Sequence, residues 1–202
     1  GLDASDQADA SLDELRLSSL PRLGNSQQVR LIISQRTDNT LAVTDWLGNL
    51  VSRLGGPGAA LGQFSSPQGL EIRDNRIWVA DPGNGRVQVL TFDGDRLTPL
   101  ADWTDGLLRP VDISVAADGR LLIADQGDDQ VKLVSSDGHL LRRWTGPTDG
   151  HPGPFRQPAG LVWLPNGDAL VADAGNGRIV RIIGPLGPAT THFPLITISN
   201  HP

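Results

Sequence analysis

The sequence contains no cysteine, methionine or tyrosine, and its single lysine, Lys132, stands against 16 arginines. Without thiols there can be no disulfides, zinc–thiolate sites, iron–sulfur clusters or thiol nucleophiles. Aromatic side chains are scarce, with five Trp and four Phe among 202 residues. No apolar run approaches the roughly 18 residues of a membrane-spanning helix, although a membrane-complex partner stays compatible with that. The 17 basic and 23 acidic side chains give a formal charge of −6 and a pI near 5. Such a balance disfavours nucleic-acid binding by phosphate neutralisation. Absence of cysteine suits an oxidising compartment, and absence of a starting methionine is consistent with a removed export signal. The expectation is an extracytoplasmic, periplasmic or exported, bacterial protein whose arginine excess reflects a GC-rich genome.

What is abundant is turn-forming: 24 Gly and 15 Pro, about a fifth of the chain, below the level of a low-complexity segment. Charge is uneven. Residues 1–20 carry Asp3, Asp6, Asp9, Asp13 and Glu14 against Arg16, and the rest of the chain is nearly neutral. This acidic N-terminal arm has capping-box spacing at Ser11 and Glu14, which predicts a short helix or else a solvated tail. Residues 188–202 form a C-terminal tail with a strand-like piece, His192 to Ile198.

Between the tails a 19-residue pattern recurs four times without gaps. It begins at Leu31, Ile77, Leu121 and Ala169, at offsets of 46, 44 and 48 residues, and Pro21, Pro67, Pro110 and Pro158 precede the four windows. Each window reads as a β-branched strand (Ile77 to Ala80), a Gly/Asn loop (Asp81 to Gly85) and a second alternating strand (Val87, Val89, Phe92). Asp93-Gly94, echoed by Asp137-Gly138 and Leu47-Gly48, signals a two-residue hairpin. A further strand follows each proline and a fourth closes the unit, as at Leu97 to Ala101. Four strands per 45 or so residues is the signature of a propeller blade, whose sheet must stack on neighbours to bury both faces. The predicted fold is all-β, with repeats at 21–66, 67–109, 110–157 and 158–187. Four repeats allow a closed four-blade ring, or part of a larger or partner-completed propeller.

The segments Gly62-Gln63-Phe64-Ser65-Ser66-Pro67-Gln68-Gly69-Leu70, Trp78-Val79-Ala80-Asp81 and Gly83-Asn84-Gly85-Arg86-Val87, with their counterparts from Pro154 to Ile179, resemble NHL-repeat β-propellers. The repeat from Pro110 departs from that pattern at Asp128 and Gln130, where asparagine and arginine are expected. The first repeat departs further, at Gln35 and Thr40. The resemblance implies six blades as the usual number, and it implies the fold more than any activity. Asp81 and Asp173 are expected to accept backbone N–H groups of the following turn. Asn84 and Asn176 suit left-handed backbone, and Arg86 and Arg178 suit pairing with an aspartate.

No catalytic constellation is recognisable. His139, His151, His192 and His201 are scattered without metal spacing, and no GxSxG or phosphate-loop pattern occurs. Amidating lyases that resemble this scaffold use His-bound zinc with Tyr and Arg, and this chain has no Tyr. Asp125, Asp128 and Asp129 lack the spacing of a calcium loop. No cofactor or metal is expected. The sequence therefore points to a non-catalytic scaffold or accessory subunit, which would present propeller faces and terminal arms to other protein subunits of a larger complex. The alternative is a lyase- or hydrolase-like enzyme or small-ligand binder at the axial mouth. The residues that would line the mouth or brace the blades are Gln68, Asp81, Asn84, Arg86, Asp112, Asp125, Asp173, Asn176 and Arg178.

Overall fold

The structure is a computed structural model, and it describes residues 29–185. They form four antiparallel sheets in chain order. Blade 1 comprises β1 (Arg30–Gln35), β2 (Thr40–Asp45) and β3 (Leu50–Gly55). Blade 2 comprises β4 (Leu70–Arg73), β5 (Arg76–Asp81), β6 (Arg86–Phe92) and β7 (Leu97–Trp103). Blade 3 comprises β8 (Pro110–Val115), β9 (Leu121–Asp125), β10 (Gln130–Val134) and β11 (Leu140–Trp144). Blade 4 comprises β12 (Pro158–Trp163), β13 (Ala169–Asp173) and β14 (Arg178–Ile182). Every blade is a meander, each strand pairing with its sequence neighbour. No helix among the described residues is long and apolar enough to cross a membrane.

The repeat predicted from sequence is thus present, with one difference in strand count. Blades 2 and 3 have the expected four strands, whereas blades 1 and 4 have three among the described residues. The strand expected after Pro21, the acidic arm at 1–20 and the tail at 188–202 lie outside the described residues.

Strands β4, β8 and β12, the first of their blades, approach one another. Gly69 N–H donates to the Val111 carbonyl at 2.9 Å, and Leu161 N–H donates to Asp112 Oδ2 at 2.7 Å. These strands therefore line the axis. Strand alternation decides which neighbour each side chain meets. In β5, Ile77 and Val79 join Ile32, Leu41 and Val43 of blade 1 in one core. Trp78 and Ala80, pointing the other way, join Ile113, Leu121 and Ile123 of blade 3 in another. A third core unites blades 3 and 4 through Leu122, Val131, Leu133, Val171 and Val180. Three cores join four blades, and none among the described residues joins blade 4 to blade 1.

Turn chemistry differs from the sequence expectation at all three hairpins, the one at Leu47-Gly48 being closed by Asp45 N–H to the Asn49 carbonyl at 3.0 Å. The turn at Asp93-Gly94 spans four residues, closed by Asp93 N–H to the Arg96 carbonyl at 3.2 Å. The Asp93 carboxylate accepts the N–H groups of Asp95 and Arg96 at 3.1 and 2.8 Å, an Asx-type turn that needs the extra residues. Around Asp137-Gly138 the turn is longer still, closed by Ser135 N–H to the His139 carbonyl at 2.9 Å, and the Ser135 hydroxyl accepts His139 N–H. Asp74-Asn75 is a two-residue turn, between the paired Arg73 and Arg76, with Asp74 at φ 51°.

Phe64 fills the core between blades 1 and 2 and is fully buried. Phe64→Ala is expected to cost about 3–5 kcal/mol, the usual range for emptying a buried aromatic site. Val51→Ala on exposed β3 should stay within about 0.5 kcal/mol of wild type. Denaturant midpoints of the two variants measure the contrast.

Candidate functional site

Three equivalent polar networks lie at one end of blades 2, 3 and 4, each built on an aspartate that ends the second strand of its blade. Asp81, Asp125 and Asp173 are all fully buried. The strand delivers the carboxylate away from bulk solvent, so its oxygens need hydrogen-bond donors in the interior.

In blade 2, Asp81 Oδ1 accepts Ser65 N–H at 2.6 Å. Its Oδ2 accepts Asn84 Nδ2 at 2.8 Å and Arg86 Nε at 3.0 Å. Arg86 then reaches Asp102 at 2.8 Å and donates to the carbonyls of Ala60 and Gln63 at 3.0 and 2.9 Å. Asn84 donates to the Gly58 carbonyl at 2.9 Å, and Gly62 N–H to Gln88 Oε1 at 2.8 Å. The glycine-rich connection between blades 1 and 2 is thereby tied to blade 2.

Blade 4 repeats this geometry. Asp173 accepts Arg156 N–H, Asn176 Nδ2 and Arg178 Nε at 2.7, 2.8 and 2.7 Å. Arg178 and Asn176 donate to the Pro154 carbonyl at 3.1 and 3.0 Å. Burial works to raise the Asp173 pKa, but the Asn176, Arg156 and Arg178 hydrogen bonds and the Arg178 charge outweigh it and hold the carboxyl below the ordinary 3.8.

Blade 3 reaches the same result with different residues. Asp125 accepts Leu108, Arg109 and Gly127 N–H groups at 2.8, 2.7 and 2.9 Å. Where blades 2 and 4 have arginine, this blade has Gln130. The cation comes instead from Lys132, two residues on, at the position of Gln88. Its ammonium is fully buried, 2.7 Å from Asp125 and 2.8 Å from Asp128, and donates to the Gly106 carbonyl at 2.6 Å. The chain's lone lysine therefore replaces the missing arginine, and Asp125 and Asp128 share its ammonium. Sequence reasoning registered the departure at Gln130 and missed this compensation. The available signal was the only lysine of the chain, placed two residues after the gap in the pattern.

A glycine is required at the matching place in each loop. A Cβ on Gly83 would lie 2.7 Å from the Ser65 carbonyl oxygen, and one on Gly175 would lie 2.7 Å from that of Arg156. Both glycines donate N–H bonds to those same carbonyls, at 3.0 and 2.8 Å.

The structure thus distributes seven of the nine candidate residues over these networks: Asp81, Asn84, Arg86, Asp125, Asp173, Asn176 and Arg178. The other two belong to the axial side. Asp112 is buried and holds β12 through Leu161 N–H. Gln68 is buried, and its N–H donates to the Ala80 carbonyl at 3.0 Å. In blade 1 the network is neutral, with Thr40 Oγ1 donating to Gln35 Oε1 at 2.9 Å and Ser66 N–H to Asn39 Oδ1 at 2.7 Å. His139 is an exposed turn residue 3.8 Å from Asp137. His151 Nδ1 lies 2.9 Å from Asp149, while His192 and His201 lie outside the described residues. Among the described residues, no three His, Asp or Glu side chains are placed to hold a metal ion. On the end that carries the networks, a cavity of about 530 Å³ is lined by Asp129, Pro152 to Arg156, Asn176 and Arg178.

Blades of this kind, joined in this order and with these loop networks, define a β-propeller-type protein. The NHL-repeat family model matches residues 64–90 and 155–182, the two repeats with the Asp/Asn/Arg network. No curated protein matches its sequence. Among solved structures it is similar to virginiamycin B lyase from Staphylococcus aureus, with 15% identity, a TM-score of 0.54 and coverage of 77% of this chain and 51% of that one. A streptogramin B lyase structure matches with 17% identity, a TM-score of 0.55 and coverage of 79% and 53%. A protein of unknown function from Bacteroides caccae matches with 18% identity, a TM-score of 0.52 and coverage of 77% and 56%. At these identities the likeness is one of fold. The chain spans about half the length of the structures it matches.

Two predictions follow from the networks. Lys132→Met leaves Asp125 as a buried charge without its cation, at an expected cost of about 3–5 kcal/mol. Transplanting the blade 2 arrangement, Gln130→Arg with Lys132→Gln, should recover most of that stability in thermal or denaturant unfolding. The second concerns pH. Because the folded-state pKa of Asp173 is depressed, its contribution is complete above the unfolded value and is lost as pH falls through the lower folded value. The unfolding midpoint should fall on acidification below about pH 4. Asp173→Asn should be less stable at neutral pH and show a shallower fall.

Proposed function

We propose that this chain is a non-catalytic interaction module, a scaffold or accessory subunit that presents propeller faces to partner proteins in a larger assembly. One observation carries the reading: among the described residues, the large apolar side chains of Trp46 on blade 1 and of Val162 and Ile179 on blade 4 are exposed. The matching Phe92 and Val131 are buried between blades. The absence of cysteine suits work outside the cytoplasm. The native mass of the protein, gently extracted from its source and measured by light scattering, should exceed 21.5 kDa substantially. A stable, partner-free monomer of that mass would sink the reading.

A second reading, a small-ligand binder or lyase- or hydrolase-like enzyme at the mouth, is favoured by the cavity between blades 3 and 4 with its two arginines and Asp129. The fold shared with virginiamycin B lyase and streptogramin B lyase adds to it. Arg156 is exposed in that cavity. Under this reading Arg156→Ala abolishes ligand binding or turnover at unchanged stability, and under the first it leaves association with partners intact.

A further inference from the structure

We propose that the junction of blades 2 and 3 holds a binding site for a small organic carboxylate, at the end of these blades opposite the aspartate networks. This site is separate from the exposed side chains and the cavity invoked above, and both its walls come from described residues.

A cavity of about 530 Å³ opens there, within the usual size range of ligand pockets. Arg73, Asp74 and Arg76 of the β4–β5 turn stand on one side, and Ala117, Asp118 and Gly119 of the β8–β9 turn on the other. Trp78 is the one buried residue of the lining, 4% exposed, and so forms the floor. Strand alternation puts Arg76 and Trp78 on the same side of β5, toward blade 3, where Trp78 joins the core of Val115, Leu121 and Val134.

Two hydrogen-bond donors of this lining are unserved. Trp78 Nε1 is buried and has no hydrogen-bond partner among the described residues, whereas a buried indole N–H ordinarily finds one. Trp163 shows the ordinary case, donating to the Ser114 carbonyl at 3.0 Å. In the other blades Ile32, Leu122 and Leu170 occupy the position of Trp78, so packing alone needs no N–H there. Arg76 is the second donor. Its counterparts are partnered: Arg30 with Asp95 at 2.7 Å, Arg120 with Asp118 at 2.6 Å, and Asp168 with Asn166 at 2.9 Å. The Arg76 guanidinium is exposed and has no such partner among the described residues.

These groups call for an acceptor that carries negative charge. Arg73, whose guanidinium donates to the Ala116 carbonyl, adds a second positive charge. Of the two acids in the lining, Asp118 is occupied by Arg120, whose Nε and Nη2 lie 2.8 and 2.6 Å from it. Asp74 sits at the exposed rim, on the turn itself. Glu71, which pairs with Trp78 across β4 and β5, already has an interaction of its own. A carboxylate accepts from both an indole N–H and a guanidinium, and its bond to arginine is charge-assisted. The indole face and Ala117 receive an apolar body. The matched ligand is therefore a monocarboxylate with a compact apolar body, its carboxylate shared between Trp78 Nε1 and Arg76.

The test is NMR of the isotope-labelled chain, read at the indole N–H groups of its five tryptophans, with Trp78 assigned from Trp78→Phe. Sodium benzoate and sodium hexanoate are the probes, at constant ionic strength. Each should move the Trp78 Nε1–H resonance downfield to saturation with a Kd of about 1 mM, and leave that of Trp46 in place. Arg76→Gln should raise Kd about tenfold, as expected for one charge-assisted hydrogen bond, with the spectrum of the folded chain retained. Trp78→Phe, read at the Gly119 backbone N–H, should do the same. Arg53→Gln, exposed on β3, should change nothing. Uncharged benzamide should bind about tenfold more weakly than benzoate, and benzylammonium should not bind. Absence of a saturable shift with both acids overturns the proposal and leaves the Trp78 N–H to solvent alone. A shift that keeps its full strength in both Arg76→Gln and Trp78→Phe overturns it by placing the acids elsewhere. Tighter binding of benzylammonium than of benzoate overturns it by assigning the cavity to Asp74 and Asp118. If Trp78→Phe does not fold, Arg76→Gln and the benzamide comparison decide.

Discussion

A buried carboxylate at the end of the second strand is the constraint around which each full repeat is organised. Asp81, Asp125 and Asp173 are delivered into the interior by strands that are apolar on both sides. An ionised group there is tolerated only when its oxygens are saturated by donors. The chain supplies them from two directions. The same blade contributes a cation and, in blades 2 and 4, an asparagine. The connection arriving from the previous blade contributes backbone N–H groups, from Ser65, Leu108 and Arg109, or Arg156. The aspartate therefore fixes where the previous connection ends, and with it how each blade is set on the next. Glycines at 83 and 175 follow from the same requirement, since the connection passes too close for a Cβ.

Such a network solves connection and leaves termination open. In a repeat array every unit contacts only its neighbours, and the two end units must be capped, closed on each other or covered. Interior blades of this chain are buried on both sides, as the fully buried β9 shows. Blade 4 returns to alternation, with β13 buried only at every second residue. The outer edge of β14 is occupied by Thr148 and Asp149, a common way of blunting a strand edge. Among the described residues, blades 1 and 4 thus differ from blades 2 and 3 in sharing one core with a neighbour instead of two, although their residues are of the same apolar kind.

The four-unit register, the strand pairs within each unit and the Asp–Asn–Arg grouping were legible in the sequence because each is a local pattern repeated at constant spacing. Three features were not. The brace in blade 3 moved two residues along the strand, from Gln130 to Lys132, and a motif defined by fixed offsets loses a residue that reaches the same carboxylate from a new Cα. The hairpins at Asp93 and Ser135 looked like two-residue turns because Asp-Gly is their strongest signal. A side chain accepting backbone N–H groups lengthened both, and such bonds carry no signature beyond residue type. Exposure of Trp46 was also hidden. The tryptophan aligns with Phe92, and a repeat pattern that is the same at both positions does not tell the exposed side chain from the buried one.

That last point bears on how function can be read from this fold. In most proteins an exposed tryptophan stands out against a polar surface. In a propeller segment every blade face is apolar, so composition cannot separate a face that meets its own chain from one that meets another molecule. What separates them is polar bookkeeping. Internal junctions of this chain pair apolar residues at the Val43–Leu90 type of position. Blade 1 has Thr44 and blade 4 has Arg181 at those same two positions, and neither lies in one of the three cores. A hydroxyl buried without a partner costs about 1–3 kcal/mol, so Thr44, whose hydroxyl has none among the described residues, sets apart a face that the apolar pattern alone does not.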